Sequence, residues 1–197
     1  MKVFRLPKRD LVLMLSTFLK SLRQRHSIYQ KLNRRIRNPN FPEDISENII
    51  VHYLRNIKKR KVCWNSGTRV HGDISDLEKS TKNKHYIIEV KCSSSNNGPI
   101  SFGPKQKWDE LFFLDVRQLV SDNKISSNSK HLLRKTAVDI YHIDSYEMFL
   151  NLKVNSHQSI KDQCNQNRRP RISPNFFRTN MRPIYRGTIK DILGFPR

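Results

Sequence analysis

The chain has 197 residues, of which 38 are Lys or Arg and 17 are Asp or Glu, giving a formal net charge of +21. That length suits one domain with a proper core, and a field of that sign argues against a neutral small substrate and for a polyanion, DNA or RNA. Charge used only for solubility, or for attachment to an anionic membrane, fits less well, because the basic residues run through a folded-looking sequence instead of gathering in one tail.

Leu11, Met14, Leu15, Phe18 and Leu22 recur at helical spacing and predict an amphipathic helix over residues 10–22. A second, basic helical segment over 24–37 places Ile28, Leu32 and Ile36 on one stripe before Asn38-Pro39-Asn40 and Pro42 break the pattern. A third helix is expected to start near Asp44 or Ser46, either of which can cap it, and to carry Ile49, Tyr53 and Ile57. From Lys61 the period changes. Residues 61–64 read as a strand, 65–67 as a turn, 70–77 as a short apolar-flanked segment, 78–84 as a loop, and 86–92 as an interior strand of a sheet.

Pro104 is placed to open a short helix through Trp108. Residues 111–116 read as a strand, with one helix over 108–119 as the alternative, and 137–143 as another strand after a solvated 121–130 loop. Residues 145–152 suit a short helix, and the chain from His157 onward is polar and basic. One domain over 1–197 is expected, with a helical layer (1–60), a sheet core (61–145) and a basic C-terminal segment (146–197). The three cysteines, Cys63, Cys92 and Cys164, match no zinc or disulfide spacing, which favours a reducing compartment. The apolar stretch 11–22 is too short and interrupted to cross a bilayer and has no cleavage site after it, so a soluble intracellular protein with no membrane partner is expected.

The chemistry is concentrated in His71-Gly72-Asp73-Ile74 and Ile87-Ile88-Glu89-Val90-Lys91. Glu89 and Lys91 lie two apart on a strand and so share a face, while Val90 turns to the core. Two carboxylates, Asp73 and Glu89, suffice for Mg²⁺, which takes oxygen ligands and keeps several waters. The Val90 carbonyl is a plausible further ligand, and Gly72 permits an unusual backbone angle or a close approach of substrate. A metal so held can polarise a phosphodiester and lower the pKa of an attacking water. Lys91 is suited to holding the phosphate, orienting the water or stabilising developing charge. Against this stands the plain alternative that Glu-Val-Lys is the solvated face of an edge strand.

Gly72-Asp73 followed by Glu89-Val90-Lys91 resembles the motif of the PD-(D/E)xK nuclease superfamily, with Gly72 where the proline of that name would stand. Ser93-Ser94-Ser95, Ser101-Phe102-Gly103-Pro104, Gln106, Trp108 and Leu114-Asp115 narrow the likeness to small type II restriction endonucleases over residues 46–143, and more weakly over Arg168-Arg169-Pro170-Arg171. The resemblance implies an α/β fold of three layers, α/β/α, around a central mixed sheet with N-terminal helices. It implies Mg²⁺-dependent cleavage of double-stranded DNA at a short specific site, with Mn²⁺ as a substitute ion. It also implies a metal-site role for Glu47, whose ordinary reading is a first-turn residue favoured by the helix dipole. A protecting DNA methyltransferase in the same genome follows, in a bacterial or virus-infected cell. A homodimer suits a palindrome, whereas small enzymes also act as monomers.

Gln106 can orient water or contact phosphate, against a plain helix-surface role, and Ser93 and Ser95 can donate to phosphate oxygens, against turn satisfaction. Arg168, Arg169 and Arg171 are the candidates for reading DNA, with phosphate contact favoured over base contact for any one of them. Lys31, Arg34, Arg35 and Arg37 form a second basic cluster suited to the DNA backbone. Trp108 and Phe102 read as core, and His71 as structural or solvated. Two other functions stay open at this point: a junction-resolving or repair nuclease of the same fold, and a basic DNA- or RNA-binding protein without catalysis.

Overall fold

The computed structural model describes residues 5–33, 39–65, 72–95, 98–103, 107–121 and 129–195. Helix α1 (Lys8–Lys31) is one continuous rod where two segments were expected. No Gly or Pro separates the two patterns, so the backbone ladder runs on. Its Leu11, Leu15, Leu19 and Leu22 are buried, whereas Ile28 and Leu32, expected on a packed stripe, are 54% and 59% exposed. Helix α2 (Glu43–Asn56) begins directly after Pro42, earlier than Asp44 or Ser46. Neither of those residues caps it. The Asp44 carboxylate accepts the N–H of Ile45, and the Ser46 hydroxyl donates to the Glu43 carbonyl.

A six-stranded sheet follows, built from β1 (Val62–Trp64), β2 (Ile74–Asp76), β3 (Tyr86–Ser93), β5 (Glu110–Asp115), β6 (Ala137–Ile143) and β10 (Tyr185–Thr188), adjacent in that order. β3 and β5 are parallel and the other neighbours antiparallel, so the sheet is mixed. Every residue of β5 is buried, and the helical alternative for this segment is excluded. A near-continuous apolar run is what a strand covered on both faces requires. Trp108, expected to end a short helix, is non-helical and buried ahead of β5.

Alternation along the strands sends side chains into two cores. Ile74, Ile88, Val90, Phe112 and Leu114 pack with α1 and α2 and with Leu132, Leu133, Ile189 and Ile192. Those last four come from α4 (Ser129–Lys135) and α8 (Ile189–Leu193), which, like α3 (Arg117–Val120) after β5, are short helices. Leu111, Phe113, Tyr141 and Ile143 point the other way, against Phe149, Ile160, Ile172 and Phe177. These belong to α5 (Tyr146–Leu150), α6 (Ile160–Asn165), β9 (Arg171–Ile172) and α7 (Pro174–Asn180). Helices thus cover both faces, giving the three-layer α/β/α arrangement with N-terminal helices.

The C-terminal region is not merely a polar basic segment. Ser159 with Asp162 and Thr188 with Asp191 form capping boxes, and Ser173 caps a helix with Pro174 in its first turn. These local signals set three short helices. Between them the chain forms the small pairs β7 (Lys153–Asn155) with β8 (Gln158–Ser159), and β4 (Ile100–Ser101) with β9, before adding edge strand β10 to β6. Among the described residues no helix is long and apolar enough to cross a membrane.

Candidate active site

Asp73 stands at the residue before β2, whose antiparallel register Ile74↔Ile88 sets it beside the centre of β3. Its Oδ2 accepts the N–H of Val90 at 2.6 Å. The turn that delivers it depends on Gly72, at φ 96°, where an added Cβ would collide with Cγ2 of Ile87. Asn65, buried at the end of β1, holds the same turn: its amide donates to the Gly72 carbonyl at 3.2 Å, its N–H to the Asp73 carbonyl at 3.0 Å, and its Oδ1 accepts the Ser75 hydroxyl at 3.0 Å.

Glu89 and Lys91 share the face opposite Val90, and the Lys91 ammonium donates to Glu89 Oε1. Glu89 is 2% exposed, so its carboxyl group is withdrawn from water. Lys91 Nζ also lies 5.8 Å from the centroid of the Phe102 ring. Glu47, in the second turn of α2, accepts the indole N–H of Trp64 at 2.6 Å. Burial raises its pKa, the Trp64 bond opposes this, and the charges of Glu43, Lys91 and Glu89 act on it in turn.

Electrostatics tie these groups into one site. Burial, and next the negative charge of Glu89, push the Asp73 carboxyl up to about 8, with Lys91 opposing and Glu47 adding to the rise. Burial works against the Lys91 ammonium, yet Glu89 and Asp73 outweigh it and hold its pKa above the usual value. Acids crowded out of water are the condition that a divalent cation relieves. Among the described residues no three His, Cys, Asp or Glu side chains are grouped as a metal cage. Two carboxylates with a backbone carbonyl nevertheless fit a hard ion that retains water.

Several other residues named from sequence have definite places. The Ser93 hydroxyl is buried and donates to the Ser95 carbonyl at 2.9 Å, so it satisfies a turn rather than facing solvent. Ser95 is exposed, and its Oγ accepts the N–H of Gly98. Arg168, Arg169 and Arg171 are all exposed. Their segment is held to the Phe102 stretch, whose ring lies near Lys91, by the register Ser101↔Arg171 of the small β4–β9 pair and by the Phe102 N–H donating to the Pro170 carbonyl. Gln106, Arg34 and Arg35, with His71 and Arg37, lie outside the described residues. Trp64 and Asn65 were missed in the sequence because each acts only through a partner that folding brings to it, Glu47 of α2 for Trp64 and the Gly72 turn for Asn65.

A family model described as Bsp6I restriction endonuclease matches residues 15–176 of the chain. No curated protein and no solved structure matches it.

Proposed function

The chain belongs to the Bsp6I restriction endonuclease family, and from that premise we propose that it hydrolyses double-stranded DNA at a short specific site with Mg²⁺, through a PD-(D/E)xK-type centre. The observation that carries this reading is the meeting of Asp73, Glu89 and Lys91 at one point on the sheet, within the span the family matches.

Asp73, Glu89 and the Val90 carbonyl are the proposed metal ligands, with Glu47 adding negative charge from α2. The ion supplies Lewis acidity toward the phosphate and a more acidic bound water, and Mn²⁺ substitutes because it takes the same oxygen donors. Asn65 and Gly72 fix the turn that aims Asp73, and the Val90 N–H holds one carboxylate oxygen in place. The Lys91 ammonium, protonated and next to Glu89, is placed to hold the scissile phosphate and balance charge that develops on it. Arg168, Arg169 and Arg171 sit on solvent beside this edge and are assigned to DNA contact. Gln106, Ser95, Arg34 and Arg35 remain assigned to contacts with the nucleic acid or its water. A restriction enzyme of this kind operates with a methyltransferase that protects the same site, and a homodimer matches a palindrome.

The test is a digest of plasmid DNA. Discrete fragments with Mg²⁺, lost on chelation, are expected, and Asp73→Asn, Glu89→Gln and Lys91→Ala should each stop cutting while retaining DNA binding. DNA that is bound but uncut under both Mg²⁺ and Mn²⁺ overturns the catalytic reading.

A further inference from the structure

β3 and β5 run parallel and end together, with Ser93 beside Asp115 in the register and the Val116 N–H donating to the Ser93 carbonyl at 3.0 Å. The turn 93–95 therefore leaves the sheet two residues beyond Lys91 and next to a buried carboxylate, Asp115, which is 6% exposed. Into this corner α7 sends Arg178. Its Nε donates to Asp115 Oδ2 at 2.7 Å and its Nη2 to Oδ1 at 3.3 Å. The same Nη2 donates to the Ser95 carbonyl at 3.1 Å, and Nη1 to Asn175 Oδ1 at 2.8 Å.

One guanidinium thus joins three pieces of chain: the end of β5, the turn after the Glu89–Lys91 strand, and its own helix. The Ser95 carbonyl is held twice, by Arg178 and by the Ser93 hydroxyl. Helix α7 in turn begins one residue, Ser173, after β9, the strand that carries Arg171. The side chain of Arg178 is 9% exposed and that of Asp115 5%, so the pair is withdrawn from solvent while Arg171 faces it. A planar fork of donors is the group suited to fixing several acceptors at set angles, which an ammonium cannot do.

From this geometry we propose that Arg178 and Asp115 are positioning residues for DNA cleavage, locking the DNA-facing β9–α7 segment to the turn that follows the catalytic strand. The inference rests on the nuclease reading above. Arg178 and Asp115 touch neither the metal ligands nor the DNA in this scheme. They set the distance between Arg171 and the Lys91 edge, so that DNA held by one is presented correctly to the other.

Arg178→Lys separates this role from simple stability. Lysine keeps a positive charge against Asp115 but cannot also span the Ser95 carbonyl and Asn175. A cooperative thermal unfolding transition establishes that the variant is folded. Single-turnover cleavage at saturating plasmid DNA should then fall by about ten- to a hundred-fold, the scale of a small misplacement of reactants. The DNA dissociation constant, measured without metal, should hold, because the exposed arginines are intact. A folded Arg178→Lys that cuts at the wild-type rate, or one that loses only affinity, overturns the proposal. If Arg178→Lys fails to fold, Ser93→Ala removes the second bond to the same carbonyl, and a several-fold loss of rate at saturation is expected. An unchanged rate there overturns it equally. Wild-type protein that never cuts would instead remove the nuclease reading itself.

Discussion

Glu89 and Glu110 are buried carboxylates on adjacent parallel strands, one step apart in register and on opposite faces of the sheet, yet their surroundings differ completely. Glu110 is surrounded by donors: Arg60 Nη1 at 2.7 Å, Lys79 Nζ at 2.7 Å, the Tyr86 hydroxyl at 2.8 Å and His142 Nε2 at 3.2 Å. Arg60 also clamps Asp76, through Nε at 2.8 Å and Nη2 at 2.6 Å. Burial opposes the ionised form of Glu110, but His142, Arg60, Lys79 and Tyr86 outweigh it and hold the pKa well below the usual carboxylate range. Around Glu89, by contrast, Asp73 and Glu89 act on one another and on Glu47 of α2, with Lys91 as their nearby cation, and Asp73 is pushed up to about 8. The first cluster is electrostatically complete and ties the end of α2 to β2 and β5. The second crowds three acids around Lys91 in a buried place, the arrangement that the proposed Mg²⁺ would relieve.

The sharpest way to break this contrast is to neutralise one carboxylate on each side. In the Asp73 cluster, Asp73→Asn or Glu89→Gln should lower the cleavage rate by about a thousand-fold or more, as removing metal-held transition-state stabilisation does. In the Glu110 cluster, Glu110→Ala should leave the folded enzyme's chemistry in place but cost about 1–3 kcal/mol of stability, because Tyr86, His142 and one arm of Arg60 then lose a buried acceptor. Urea unfolding beside a cleavage assay checks both. A Glu110 variant that is as stable as wild type would show that the network is decorative.

The two clusters should also respond to pH with opposite sign. Glu110 has a depressed folded pKa, so its contribution is fully present above the unfolded value of about 4.3 and is lost as pH falls through the folded value. Asp73 has a raised folded pKa, so the metal-free protein is best served below about 3.9 and loses that stability as pH rises toward 8. Asp73→Asn keeps an oxygen for the Val90 N–H but removes the charge. It should therefore raise the melting temperature at pH 8 without metal by about 2–4 °C, the response of a chain this size to roughly 1 kcal/mol. Mg²⁺ should stabilise the wild type but not this variant. An equal response of the two proteins to Mg²⁺ would separate Asp73 from the ion.

What could be read from the sequence, and what could not, divides along the same physical line. β3, β5 and β6 are dense in β-branched and aromatic residues, so their pattern survives without knowledge of their neighbours. Asp73 and Glu89-Val90-Lys91 were equally visible, because spacing on a strand fixes the face. The length of α1 was misread because an exposed apolar pair, Ile28 and Leu32, imitates a packed stripe. Strands β4, β9 and β10, of two to four residues, owe their existence to partners distant in the chain. Asn65, Trp64, Asp115 and Arg178 were invisible as site residues for that reason: their roles exist only after the fold has brought their hydrogen-bond partners to them.

The smallest expected effect concerns the exposed basic run, which the contrast between balanced and unbalanced charge also reaches. Arg169 is exposed, two residues before β9. Arg169→Ala should therefore leave the melting temperature in place and weaken DNA binding modestly. The informative quantity is the salt slope: if Arg169 neutralises one phosphate, the plot of log binding constant against log salt should flatten by about one unit. A base contact would act differently, relaxing preference for one position of the site while loss of a purely phosphate contact weakens all sequences alike. An unchanged slope with unchanged preference would leave Arg169 as solvated charge, and DNA engagement would then rest on other cations of this strongly basic chain.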